Sequence, residues 1–260
     1  MPLPGALTIA GFDPSGGAGV LADVRTFATF GYRASAAITS ITFQNDSRAT
    51  GAVHQTAVTV RDQISSLLQQ FEFACAKTGM LPTREVVREV ARIFRENELP
   101  APVVDPVMAS SSGMRLLEAN ALEVFIAELL PVARVLTPNI PEAEALTGLQ
   151  ITSEAEMRVA AKIIRELGVR AVLIKGGHLG QKAVGSRQRA EVSEAIDVLD
   201  DEGTVTVFRA EFIPGANIHG SGCMLSAAIA AGLGKGMSLE ESVRQAKDFV
   251  LNELRRGFAT

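Results

Sequence analysis

The sequence predicts an α/β fold: a mostly parallel central sheet flanked by helices on both faces. Three observations predict it. Short apolar runs alternate with segments of helical periodicity along the whole chain. Glycine-rich and polar motifs follow those runs, as ligand sites follow the carboxyl ends of parallel strands. Fifteen of the 23 glycines fall in three stretches, 5–19, 176–185 and 215–236, which suggests backbone brought close to a ligand.

The elements follow in order. Residues 7–10 form a buried strand ending at Gly11, and 16–30 a helix. Residues 34–43 are rich in β-formers, and 60–71 return to helical spacing. A brief strand at 74–78 precedes Gly79. Residues 84–97 place Val86, Val90 and Ile93 on one helical face. A strand at 102–105 is closed by Pro106, a helix spans 118–130, and a strand at 132–136 ends in Thr137-Pro138-Asn139. Ser153 and Glu156 form a capping box in front of the stripe Met157, Ala160, Ala161, Ile164 and Leu167. Residues 171–174 are a buried strand leading into Lys175-Gly176-Gly177-His178. Residues 191–208, interrupted by Asp200-Asp201-Glu202-Gly203, read as a hairpin or surface flap. Residues 223–233 form a small-residue helix, which Gly232, Gly234 and Gly236 are expected to end. Ser238 caps a last amphipathic helix. No repeat or linker interrupts the chain, so 1–260 reads as one domain.

Composition narrows the function. The chain has 260 residues, 25 basic and 29 acidic, and a net charge of −4. Apolar residues make up 47%, which excludes a disordered or fibrous chain. The mild negative charge argues against a nucleic-acid partner held by a basic surface. Cys75 and Cys223 cannot build a disulfide framework, so a cytoplasmic setting fits. The first ten residues lack a secretory pattern, and no run approaches the ~20 apolar residues of a membrane span. The three histidines and two cysteines show no zinc-ligand spacing.

The chemistry centres on Asn217-Ile218-His219-Gly220-Ser221-Gly222-Cys223, in front of an alanine-rich helix. Gly220, Ser221 and Gly222 would expose successive amides at a positive helix terminus, an anion hole for a phosphoryl group in transfer. Cys223 falls in the first turn, where a thiol pKa can be lowered and a thiolate could take a hydroxyl proton. A small residue buried in a tight junction explains that spacing equally well. The run Asp13-Pro14-Ser15-Gly16-Gly17-Ala18-Gly19 departs from a dinucleotide fingerprint. It suits a backbone wall against a flat substrate, with Asp23 further into the helix, or an ordinary turn. Asp105 and Glu142, both at strand ends, could hold Mg²⁺ beside nucleotide phosphates, although surface acids are common. Lys175 could screen phosphate charge, and the Gln44 amide could read a heterocycle edge. Cys75 reads as a core thiol, and Tyr32, His54 and His178 carry no argument.

These residues resemble the bacterial hydroxymethylpyrimidine/phosphomethylpyrimidine kinases of thiamine biosynthesis. The resemblance runs through residues 6–19 with Ala22-Asp23, then Gln44-Asn45, Lys77-Thr78-Gly79-Met80-Leu81 and Asp105-Pro106-Val107-Met108. It continues through Thr137-Pro138-Asn139 with Pro141-Glu142-Ala143, Lys175-Gly176-Gly177-His178 and His219-Gly220-Ser221-Gly222-Cys223. The matches keep their order over nearly the whole chain. The resemblance implies a three-layer ribokinase-like fold, usually dimeric, and ATP-dependent phosphorylation of 4-amino-5-hydroxymethyl-2-methylpyrimidine. In family members the monophosphate is often phosphorylated again.

By position, Cys223 matches the family's catalytic cysteine, and Gly220, Ser221 and Gly222 its anion hole. Gln44 matches the residue that pairs with the aminopyrimidine, and Asp23, Gly11, Met80 and Val107 match others lining that pocket. Asn139 and Glu142 match the Asn-x-x-Glu element near Mg²⁺ and phosphates, Asp105 a nearby acid, and Lys175 a lysine near the nucleotide. The chain departs from the family at Phe12, where Thr or Ser is usual. It also lacks the lysines usual beside Ser112 and Ala216, which leaves the second phosphorylation open. Rival readings are a pyridoxal kinase on the same scaffold and a non-catalytic pyrimidine-binding relative; a dehydrogenase is a weaker one.

Overall fold

The computed structural model describes residues 3–45, 48–110, 113–177, 194–211 and 219–257. Its strands are β1 (Gly5–Phe12), β2 (Arg33–Gln44), β3 (Ala49–His54), β4 (Phe73–Thr78), β5 (Val103–Val104), β6 (Val135–Leu136), β7 (Ala171–Lys175), β8 (Glu194–Asp201) and β9 (Thr204–Glu211). They form one sheet in the order β3-β2-β1-β4-β5-β6-β7-β8-β9. The inner run from β2 across to β7 is parallel. β3 at one edge and the β8–β9 hairpin at the other are antiparallel.

The helices are α1 (Gly19–Thr29), α2 (Ala57–Leu68), α3 (Arg84–Glu96), α4 (Ala121–Val124), α5 (Ile140–Thr147), α6 (Glu154–Glu166), α7 (Ser221–Gly234) and α8 (Leu239–Gly257). α1, α7 and α8 cover one face of the sheet around Phe27, Leu173, Leu225, Ile229 and Val243. α2 to α6 cover the other around Ile9, Ile64, Val90, Phe125, Leu136 and Ile164. With helices on both sides, the inner strands must be apolar throughout, and residues 6–10 of β1 and 171–174 of β7 are buried without interruption. α3 shows how the helices dock. Thr83 caps it by accepting the Val86 N–H, and Val86, Val87, Val90, Ala91, Ile93 and Phe94 are all buried. Full burial of each larger side chain contributes roughly 1.5–3 kcal/mol.

Several expectations are corrected. The helix at 118–130 breaks after α4 into a π-helical turn, Phe125–Leu129, and a 3₁₀ turn, Leu130–Val132. Pro131 has no N–H with which to continue an α-helix. α5 was not expected from periodicity; its caps define it, Asn139 at the start and left-handed Gly148 at the end. Ser153 does cap α6, but the Glu156 carboxylate reaches past it to the Thr152 N–H at 2.6 Å. The hairpin expected at 191–208 is borne out over 194–211; it extends the main sheet and turns at Glu202 and Gly203, both at positive φ. Of the three glycines expected to end α7, Gly234 is its last residue and Gly236 lies just past it, whereas Gly232 is inside the helix. A Cβ at Gly232 would lie 2.7 Å from Ser242 Oγ, and one at Gly234 2.7 Å from Tyr32 Oη, so both are close-packing positions. Tyr32 then donates to the Ala231 carbonyl at 2.8 Å. Gly236, at φ +79°, lies just beyond the helix.

Candidate active site

The chain turns from β2 and β3 back across the sheet to β4, so β1 and β4 are neighbours whose onward connections run in opposite directions. Such a switch point opens a crevice beyond the strand ends. A cavity of about 190 Å³ lies there. It is smaller than the ~300–1,000 Å³ of drug-sized sites, and so is scaled to a single ring. Gly11, Gln44, Met80, Val107, Asp105, Asn139, Glu142, Lys175, Gly220, Gly222 and Cys223 all line it. Asp23 and Ser221 are the two expected site residues that do not. His178, Ser112 and residues 212–218 lie outside the described residues.

The start of α7 forms one wall. Gly220 is its N-cap at φ +85°, and a Cβ there would stand 2.0 Å from the Gly17 carbonyl oxygen, so only glycine fits. No side chain caps the helix and its first turn carries no acid. Its leading amides are therefore left to face an anion. Ser221 contributes to this through its backbone. A Cβ at Gly222 would lie 3.3 Å from Lys175 Nζ and 3.8 Å from Asp105 Oδ2, so the bare glycine lets that ion pair approach the helix terminus. Cys223 is partly exposed and opens onto the cavity. Burial of its sulfur pushes the thiol up to about 11; the Lys77 charge and the Gly19 N–H pull it down, and Asp23 and Asp105 push it up. The expectation of a lowered thiol is thus reversed: desolvation outweighs the Lys77 charge and the Gly19 N–H.

The opposite wall carries the acids. Lys175 Nζ donates to Asp105 Oδ1 at 3.1 Å. Burial opposes its charge, but Asp105 and Glu142 raise its pKa and hold it protonated. Asn139 and Glu142 form a reciprocal capping box on α5. Asn139 Oδ1 accepts the Glu142 N–H at 2.9 Å and Glu142 Oε2 accepts the Asn139 N–H at 2.8 Å. Burial raises the Glu142 carboxyl; Lys175 lowers it and Asp105 raises it further. Among the described residues no cluster of three or more His, Cys, Asp or Glu is placed to hold a metal by itself. Two carboxylates that repel one another near an uncapped helix start nevertheless fit Mg²⁺, which takes one or two protein oxygens and fills its shell with other ligands and water.

Two further networks were not apparent from sequence. Asp13 accepts from Ser15 N at 2.9 Å, Ser15 Oγ at 2.8 Å, Ala18 N at 2.8 Å and His219 Nε2 at 2.9 Å. It therefore ties the loop after β1 to the residue leading into α7. Burial alone would raise this carboxyl, but hydrogen bonds from Gln44, Ser15 and Ala18 hold it below the usual range. The signal was the Asp-x-Ser turn, a side chain that bonds backbone two residues on. Beneath the cavity floor, Lys77 Nζ lies 2.8 and 3.0 Å from the two oxygens of Asp23, which also accepts Thr8 Oγ1 at 2.6 Å. Both charged side chains have no exposure. Asp23 is thus a buried counter-ion, corrected from a pocket-lining residue, and Lys77 is the member that reaches the cavity. A lysine inside the apolar run 73–78 was its signal, since a buried cation requires an acid.

Comparison with known proteins places the whole chain in one family. The family model described as phosphomethylpyrimidine kinase matches residues 13–260. A hydroxymethylpyrimidine/phosphomethylpyrimidine kinase from Streptomyces coelicolor is 38% identical over 255 residues, covering 98% of this chain and 90% of that protein. The crystal structure of phosphomethylpyrimidine kinase from Clostridium difficile superposes with a TM-score of 0.80 at 32% identity, covering 96% of this chain and 99% of the other. Pyridoxal kinase from Staphylococcus aureus, in complex with pyridoxal, gives a TM-score of 0.85 at 32% identity, covering 98% of this chain and 89% of the other. Sequence and three-layer architecture thus agree: the chain belongs to the phosphomethylpyrimidine kinase family, on a ribokinase-like fold.

Proposed function

We propose that this protein is an ATP-dependent kinase that phosphorylates the 5-hydroxymethyl group of 4-amino-5-hydroxymethyl-2-methylpyrimidine in thiamine biosynthesis. The observation that carries the reading is the uncapped start of α7, with Cys223 in its first turn, opening onto a cavity scaled to one ring. The ring lies against Gly11, Met80 and Val107, with the Gln44 amide at its edge. The γ-phosphoryl group of ATP faces the amides of Gly220, Ser221 and Gly222, while Lys175 and Asn139 hold the other phosphates. Asp105 and Glu142 would hold Mg²⁺, which neutralises phosphate charge when bound. Deprotonated Cys223 accepts the hydroxyl proton, and Lys77 with the Gly19 N–H favours that thiolate against burial. Proximity and charge neutralisation supply most of the rate.

The enzyme works in the cytoplasm as a homodimer. Among the described residues no helix is long and apolar enough to cross a membrane. Ile41 and Val53, a cross-strand pair, are 43% and 51% exposed, and Phe43 is 51% exposed beside them, an apolar patch that supports self-association.

A product assay tests the function. Purified protein with ATP and Mg²⁺ is offered the hydroxymethylpyrimidine, its monophosphate and pyridoxal in parallel. The expected product is the pyrimidine monophosphate, and pyrophosphate formation decides whether the second step occurs. Turnover of pyridoxal alone would replace this reading with the pyridoxal kinase one, and binding without ATP consumption with a non-catalytic one. Cys223→Ala should cut turnover by at least ~100-fold while pyrimidine affinity stays within about threefold. Near-normal turnover would remove the cysteine from the mechanism.

A further inference from the structure

Asp13 and Gln44 meet at one point on the cavity wall. Both Asp13 oxygens accept backbone N–H groups, Oδ1 from Ser15 and Oδ2 from Ala18. A carboxylate so engaged only accepts. His219 Nε2, 2.9 Å from Oδ2, must therefore carry a proton and donate it. Gln44 Nε2 lies 3.3 Å from that same ring nitrogen. Two donors cannot bond one another, so the Gln44 NH₂ finds its acceptor in Asp13, to which its side chain hydrogen-bonds. The amide has two unlike ends, and one N–H of its NH₂ end is held by the carboxylate, which fixes the way the amide faces. The Gln44 carbonyl oxygen is left for the cavity that Gln44 lines.

We infer that Asp13 is a positioning residue for specificity: it turns the Gln44 amide so that an acceptor, not a donor, meets the substrate ring. This inference rests on the pyrimidine kinase reading for the identity of the ligand. A ring with an exocyclic amine then gains a hydrogen bond. A ring with an oxo or phenolate oxygen at that edge meets a second acceptor and leaves both oxygens unpaired. A site built around a hydrogen bond rejects such an analogue strongly, because the mismatch buries unpaired polar groups. The same chain of donors links the Gly-rich loop after β1 to His219, so ring recognition and the placing of the phosphoryl wall share one carboxylate.

The test compares kcat/KM for the 4-amino ring and its 4-oxo analogue. Wild type should prefer the amine by ~100-fold or more. Asp13→Ala frees the amide to rotate, and the preference should fall at least ~10-fold, in KM more than in kcat. Equal losses on both rings, with the ratio unchanged, would show a structural role only and overturn the inference. Neutron diffraction on ligand-free wild-type crystals gives an answer that needs neither variant nor substrate. One Gln44 amide deuterium should point to Asp13, with the amide oxygen on the cavity side, and a deuterium should sit on His219 Nε2. An amide oxygen turned to Asp13 and His219, with the ND₂ end towards the cavity, would overturn the inference even if Asp13→Ala fails to fold. If wild type turns over neither pyrimidine, the functional reading fails, and the neutron map still decides the amide.

Discussion

Replacing Lys77 with Met removes the cation of the buried pair while keeping its length. Asp23 then retains the Thr8 hydroxyl at 2.6 Å and loses an ammonium at 2.8 Å. In wild type that ammonium is favoured despite burial, because Asp23 raises its pKa. Left alone, the carboxylate has two options. Staying ionised in an apolar site costs about 3–5 kcal/mol. Taking up a proton costs about 1.4 kcal/mol for each pH unit above the ordinary carboxyl value near 4, hence about 4 kcal/mol at pH 7 and about 1.5 kcal/mol at pH 5. The cheaper route sets the penalty. In the variant, Asp23 has a folded-state pKa above its unfolded value. The stability it carries is therefore present at low pH and lost as pH rises towards that folded value. The gap between wild type and Lys77→Met should widen by roughly 1.5–2.5 kcal/mol from pH 5 to pH 7. Urea unfolding followed by far-ultraviolet circular dichroism measures it, since the chain has no tryptophan. A gap under about 1 kcal/mol at pH 7, or one equal at both pH values, refutes the reasoning. Asp23→Leu with Lys77→Met removes both charges and should recover most of the loss.

Two more predictions read the wall built by α7. In a Cys75→Ala background, alkylation of Cys223 by iodoacetamide should quicken about tenfold per pH unit from pH 7 to 10. Its midpoint should lie near 11; a midpoint below about 8 would restore the helix terminus as the dominant influence. Gly220→Ala places a Cβ 2.0 Å from the Gly17 oxygen at a backbone φ of +85°. It should lower stability by about 1–3 kcal/mol and turnover by ~100-fold or more, and wild-type turnover would show that the loop after β1 yields freely.

Periodicity located the interior strands because β1 and β7 are buried on both faces and leave unbroken apolar runs. It missed β3, whose small residues do not alternate, and α5, which is eight residues long and is defined by its caps. The site was legible where glycine and polar residues follow strands, hence the convergence of Gly11, Gln44, Asp105, Lys175 and Cys223. What sequence alone could not supply was pairing. Asp23 and Lys77 are 54 positions apart and Asp13 and His219 are 206 apart, and only the sheet order brings each acid to its partner. For the same reason the thiol of Cys223 was misjudged: the helix terminus is local and visible, whereas desolvation by distant packing is neither.

The three buried acids around the cavity, with their partners, differ in how firmly they are held, and that difference decides which one a ligand opens. Lys77 engages both oxygens of Asp23, and neither side chain is exposed. Asp13 is fixed by backbone amides on both oxygens besides His219. Lys175 and Asp105 share one contact at 3.1 Å, with 16% of the lysine side chain exposed and both residues lining the cavity. A phosphate at the start of α7 would compete for Lys175 alone, since separating either of the other pairs strands a buried charge. Drawing Lys175 away leaves Asp105 beside Glu142, two carboxylates whose mutual repulsion then lacks its cation. On the proposed function, the arrival of an anion and the appearance of a site for a divalent cation would thus be coupled through one lysine, while the Lys77 and Asp13 pairs would keep the cavity floor and wall in place.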